Sequence, residues 1–126
     1  MLLATDWRAR GLPAIAGAVA ISGVFDLEPL LQVSFNDDLR LDAAQARAMS
    51  PIHTRAHAPV PLIIAVGADE TREFIRQSWL LWQRWPECRP PGRDGPLLIA
   101  GRHHFSVLTD WADPDSALAT AVRSLF

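Results

Sequence analysis

Two short segments concentrate the side chains that could move protons. Gly67-Ala68-Asp69-Glu70 sets two carboxylates side by side ahead of a helical stretch, and Gly101-Arg102-His103-His104-Phe105 sets two imidazoles after an apolar run. A carboxylate can hold one ring nitrogen of an imidazole and stabilise its cation, leaving the other nitrogen to take a proton from a nucleophile and return it to a leaving group. The same residues also have plainer readings. Acidic residues at a helix start are favoured by the positive end of the helix dipole, by roughly 0.3–1 kcal/mol, and histidines are often half-buried structural residues. His53 and His57 would, with His103 and His104, invite a metal ion. Pro51, Pro59 and Pro61 keep that stretch from forming the helix an i,i+4 ligand pair needs, so no metal site is expected. Trp79, Trp82 and Trp85 fall at helical spacing among apolar residues, which reads as core rather than as a stacking platform. Cys88 is the single cysteine, so neither an internal disulfide nor a cysteine-based zinc site can form.

The elements that must position these residues follow from the hydropathy pattern. Residues 14–24 are almost continuously apolar, bounded by Gly11-Leu12-Pro13 and Asp26, and read as a strand buried on both faces. Pro61-Leu-Ile-Ile-Ala-Val-Gly67 and Pro96-Leu-Leu-Ile-Ala-Gly101 repeat that pattern. Helical patterns lie between and after the runs. Asp26 can cap residues 27–33, residues 41–49 are rich in helix formers until Ser50-Pro51 stops them, and residues 71–85 place Phe74, Ser78, Leu81, Trp82 and Trp85 on one face before Pro86. A last helix is expected over about residues 114–125. The order implies α/β architecture with three parallel strands, in a single domain spanning residues 1–126. In parallel sheets, ligands and catalytic groups gather at the carboxyl ends of strands. Both chemistry-bearing segments fall there.

Composition narrows the function classes. With 49% apolar and 21% charged residues the chain suits a folded globular protein. A net charge of −2 offers no electrostatic footprint for nucleic acid or anionic lipid, so neither is an expected partner. The longest apolar run contains Pro13, Gly17 and Gly23 and is shorter than the ~20 residues of a membrane span. The first residues lack the basic lead of a signal peptide, and a cytoplasmic location is the default.

Four phrases carry a family resemblance: Ser22-Gly-Val-Phe-Asp-Leu-Glu-Pro-Leu30, Ala46-Arg-Ala-Met-Ser-Pro51, Val66-Gly-Ala-Asp-Glu-Thr-Arg-Glu-Phe-Ile-Arg-Gln-Ser78 and Gly101-Arg-His-His-Phe-Ser106. In this order they resemble the C-terminal half of arylformamidase (kynurenine formamidase)-like α/β-hydrolases, whose triad runs Ser, then acid, then His along the chain. The family pattern is an acidic residue, Ser or Thr, any residue, Glu-Phe, then Arg-Gln-Ser one residue later. It puts the triad acid on Glu70, with Asp69 as the alternative, and the catalytic His on His104 rather than His103.

The resemblance implies hydrolysis of an amide or ester, with N-formylkynurenine as the family's named substrate, no cofactor, and a sheet of which these strands are the three-stranded C-terminal portion. A broad carboxylesterase is an alternative, and a catalytically dead fragment or interaction module is another. One family element is missing from the sequence: no G-x-S-x-G nucleophile elbow occurs. Ser22 ends a strand without flanking glycines on both sides, Ser78 lies within a helix and Ser106 follows the His. Residues 1–7 resemble the tail of the helix that follows the elbow, so the nucleophile and the oxyanion loop are expected upstream. Residues 14–24 would then expose a strand edge, and self-association through it is expected. Residues 27–41 stand where hydrolases insert substrate-covering elements, with Leu30, Phe35 and Leu39 as candidates for an acyl pocket or for packing.

Overall fold

The run Leu62–Gly67 forms the central strand of the molecule, and its alternation explains the layers on either side. In the computed structural model, which describes residues 2–125, strands β1 (Ala18–Ile21), β2 (Leu62–Gly67) and β3 (Leu97–Ile99) form a parallel sheet in the order β1-β2-β3. Ile21 lies opposite Ala65 and Gly67 opposite Ile99. All six residues of β2 are buried. Leu62 and Ile64 point into one cluster with Phe25, Ile52, Leu81, Trp82, Trp85 and Cys88, whereas Ile63 and Ala65 point into another with Ile99, Val107, Leu118 and Ala121. Each fully buried Leu or Ile side chain contributes about 1.5–3 kcal/mol. The protein is therefore a small α/β fold with helices on both faces of a three-stranded parallel sheet.

Helix α3 (Arg72–Arg84) supplies most of the first cluster. Ser78, Leu81, Trp82 and Trp85 are all buried, as the helical spacing requires. Trp85 Nε1 donates to the Thr54 carbonyl at 3.0 Å, which satisfies the indole inside the core. Trp79 departs from the core reading. It is 39% exposed and lies over Gly95, where a Cβ would collide with its ring. Helix α4 (Ala117–Arg123) covers the other face through Leu118 and Ala121, with the Ser116 hydroxyl accepting from Ala119 N–H as its cap. It begins three residues later than Pro114 because that cap, rather than the proline, sets its start.

Several expected elements are shorter than their sequence patterns. The apolar run 14–24 yields a strand only over Ala18–Ile21, and all four residues are half-buried rather than buried. β1 has a single strand neighbour among the described residues, and Ser22 ends it at φ 49°. Residues 27–33 form a 3-10 segment, Glu28–Gln32, with Pro29 in its first turn. Asp26 Oδ1 accepts from Glu28 N–H without capping an α-helix. A short helix α1 (Asn36–Leu39) follows, and Phe35 and Leu39 are about half exposed. Helix α2 (Ala43–Met49) starts two residues inside the expected stretch. Asp42 caps it through a reciprocal bond with Gln45, and Ser50, extended before Pro51, ends it. Of the stretch 1–7, Met1 lies outside the described residues and Leu2–Ala4 is a 3-10 turn. Among the described residues, no helix is long and apolar enough to cross a membrane.

Candidate functional site

The carboxyl ends of the three strands converge on one carboxylate. β2 ends at Gly67, where a side chain is excluded because a Cβ would strike the Arg102 carbonyl of the loop after β3. That close approach is stitched by Ala68 N–H to the Ile99 carbonyl at 2.9 Å and by Asp69 N–H to the Arg102 carbonyl at 3.0 Å. Gly101, at φ 68°, turns the chain out of β3. Arg102 then pairs with the buried Asp110 at 2.6 Å, pinning the loop that carries both histidines. The 67–70 turn folds back on itself: Glu70 N–H donates to the Gly67 carbonyl, and Gly67 N–H donates to Glu70 Oε1 at 2.9 Å.

Glu70 and His104 are thereby brought together. Glu70 Oε2 lies 2.9 Å from His104 Nδ1, and the Glu70 side chain has no exposed surface. Its other oxygen, Oε1, accepts from the Ser22 hydroxyl at 2.5 Å as well as from Gly67 N–H. Burial acts to raise the carboxyl pKa, but the bonds from Ser22, Gly67 and His104 together outweigh it and hold Glu70 below its ordinary value. An ionised carboxylate only accepts, so His104 Nδ1 carries the proton and Nε2 is left as the ring's acceptor. The His104 ring stacks on Phe74, centroids 4.4 Å apart, and meets the edge of Phe105 at 5.4 Å. Phe74 is the aromatic residue of the Glu-Phe step in the sequence pattern, so α3 provides the platform that fixes the ring plane. The imidazole stays 44% exposed.

The other candidates fall elsewhere. Asp69 is exposed, and its backbone rather than its carboxylate ties the turn. His103 uses Nδ1 to accept from the backbone N–H groups of Phe105 and Ser106. His53 lies 3.9 Å from Glu28 and His57 lies 3.4 Å from Asp6. Among the described residues no three His, Cys, Asp or Glu side chains cluster as a metal site would require. Cys88 is buried, and burial pushes its thiol pKa up. Ser78 donates to the Phe74 carbonyl within α3, and Ser106 bonds the backbone of His103.

Two contributors have no role assigned by the sequence pattern. Ser22 lacks an elbow and so does not read as a nucleophile, although its place at the carboxyl end of β1 is the signal that finds it. Gln77 follows Arg76 on α3 and reads as a polar surface residue. It is 1% exposed; its Oε1 accepts from Phe25 and Asp26 N–H, and its Nε2 donates to the Asp26 carbonyl and to Glu73. This clasp ties the turn after Ser22 to the helix.

A hydrolase-like α/β protein is the class that the fold and its similarities define. The chain is 32% identical to kynurenine formamidase of Danio rerio over 84 residues, covering 62% of this chain and 29% of that protein. The kynurenine formamidase of Salmo salar is 31% identical over the same share of each chain. Among solved structures, a Silicibacter protein provisionally described as a thioesterase superposes with a TM-score of 0.73 at 29% identity. That superposition covers 85% of this chain and 38% of the other. The chain thus spans less than a third of the length of the formamidases it matches. No family model matches it.

Proposed function

We propose that this chain carries the acid and the general base of a serine hydrolase of the arylformamidase-like α/β-hydrolase kind, with Glu70 as the acid and His104 as the base. The observation that carries the reading is the pairing of His104 Nδ1 with the buried Glu70 carboxylate at 2.9 Å, which leaves Nε2 as the proton acceptor. In this mechanism a serine outside residues 1–126 attacks the substrate carbonyl as its hydroxyl proton passes to His104 Nε2. The imidazolium formed is stabilised by Glu70, and the same proton then goes to the departing amine or alcohol. Water repeats the sequence on the acyl-enzyme, releasing the acid and restoring the serine. Similarity to the two formamidases supports an N-formyl amide such as N-formylkynurenine as substrate. The thioesterase-described neighbour supports a broader acyl ester or thioester as the second reading.

The test has two arms. Residues 1–126 alone should neither cleave N-formylkynurenine or a p-nitrophenyl ester nor take up a fluorophosphonate, because no G-x-S-x-G elbow occurs among them to present a serine to His104. In the nucleophile-bearing protein, His104→Ala should lower kcat about 10³-fold, whereas His103→Ala should have little effect. Labelling of the isolated chain, or a larger loss at His103, would overturn the reading.

A further inference from the structure

Ser22, Glu70 and His104 form a chain of three side chains that superficially matches a catalytic triad, but the order is different. A nucleophile relay puts the imidazole in the middle. Here the carboxylate is in the middle, with Ser22 on Oε1 and His104 on Oε2. Ser22 is also nearly buried, at 9% exposed, whereas His104 is open to solvent. We propose that Ser22 is a positioning residue that locks the Glu70 carboxylate so that Oε2 faces His104, a role that rests on the Glu70–His104 pairing described above.

The backbone argues that the hydroxyl is what position 22 requires. Ser22 adopts φ 49°, a left-handed conformation that glycine occupies without strain and that other L residues occupy rarely. A residue chosen for the turn alone would be glycine, as at Gly11, Gly92 and Gly101, which take φ 71°, 73° and 68°. The turn is nonetheless held firmly. Ser22 N–H donates to the Ala65 carbonyl at 2.8 Å, the amides of Phe25 and Asp26 further along the turn are clasped by Gln77, and a Cβ at Gly23 would collide with the Phe25 ring. A fixed turn delivers the hydroxyl to Oε1, where it adds to the Gly67 N–H bond. With Oε1 doubly satisfied, rotation of the carboxylate would break two bonds, so Oε2 stays on the imidazole. The hydroxyl also favours the ionised carboxylate, the form that stabilises an imidazolium.

Ser22→Gly and Ser22→Ala separate the hydroxyl from the backbone, because both remove the hydroxyl and only glycine relieves the left-handed strain. The measurement is carboxyl-carbon NMR titration of Glu70 in the 126-residue chain, together with ring-nitrogen NMR of His104. Both variants should raise the Glu70 pKa to the same extent and populate the Nε2–H form of His104, while Ser22→Gly melts above Ser22→Ala. The Glu70 shift should persist in a His104→Ala background, where no imidazole contributes. An unchanged Glu70 titration in Ser22→Gly would overturn the proposal even if wild-type His104 carries its proton on Nδ1. A wild-type ring protonated on Nε2 would instead refute the Glu70–His104 relay, with the Ser22 effect in the His104→Ala background still deciding the bond to Glu70.

Discussion

Replacing Glu70 with glutamine changes one atom's chemistry and reverses a proton. In the wild-type protein Oε1 accepts from Ser22 and Gly67, and Oε2 accepts from His104 Nδ1–H. A glutamine side chain of the same shape keeps its carbonyl oxygen on the Ser22 and Gly67 donors, which forces its amide nitrogen to face His104. That nitrogen only donates, so Nδ1 must become an acceptor and the ring proton moves to Nε2. In the proposed mechanism the general base is then blocked at the atom that should take the nucleophile's proton, a defect that costs about 10⁴ in kcat where a carboxylate–imidazole pair serves a serine. The fold loses less. Bonds to a charged partner contribute about 1.5–3 kcal/mol and neutral ones about 0.5–1.5, so weakening the two bonds on Oε1 should destabilise the chain by about 2 kcal/mol. Ring-nitrogen NMR of the 126-residue chain should show His104 moving from Nδ1–H to Nε2–H in Glu70→Gln and staying on Nδ1 in Asp69→Asn. Kinetics of the nucleophile-bearing protein should follow the same division. A ring that keeps Nδ1–H in Glu70→Gln, or an equal loss of activity in Asp69→Asn, would refute the assignment of Glu70.

Gln77→Ala should destabilise the protein by about 2 kcal/mol, because it strands the buried Phe25 amide, which costs roughly 1–3 kcal/mol without a partner, and the half-buried Asp26 amide, which costs less; a loss below 1 kcal/mol in urea unfolding would show that the clasp is dispensable. Acid unfolding should carry the Glu70 signature. Its carboxyl pKa is lower in the folded than in the unfolded chain, so the stability it adds is present above the ordinary value of 4.5 and disappears as pH falls through the lower folded value. Glu70→Gln should flatten that part of the profile, and parallel profiles would count against the lowered pKa. The open side of β1 borders a hollow lined by Ala18, Ala20, Leu62, Leu81 and Trp85, and a second copy pairing along that edge would cover it. Light scattering of the isolated chain should therefore read a mass above the 13.9 kDa monomer, and a stable monomer would refute this pairing.

Local physics determined much of this protein from the sequence alone. The run Leu62–Gly67 is apolar at every position and must be buried on two faces, α3 has a buried stripe that Pro86 has to stop, and Ser50-Pro51 has to end α2. The two segments that carry Glu70 and His104 were legible for a related reason: each follows a strand in a parallel sheet, where the carboxyl ends meet. Tertiary structure decided what depends on partners distant in sequence. Residues 14–24 are as apolar as β2, yet only four of them form a strand, half-buried, because burial requires neighbours on both sides and β1 has one among the described residues. The choice between Glu70 and Asp69 is likewise invisible in composition, since the two carboxylates differ only in where the 67–70 turn aims them. That turn is shaped by Gly67 yielding space to the Arg102 carbonyl, 35 residues further along the chain. Ser22 and Gln77 gain their roles the same way, through hydrogen bonds spanning 48 and up to 52 residues, which no local pattern of hydrophobicity or helix propensity encodes.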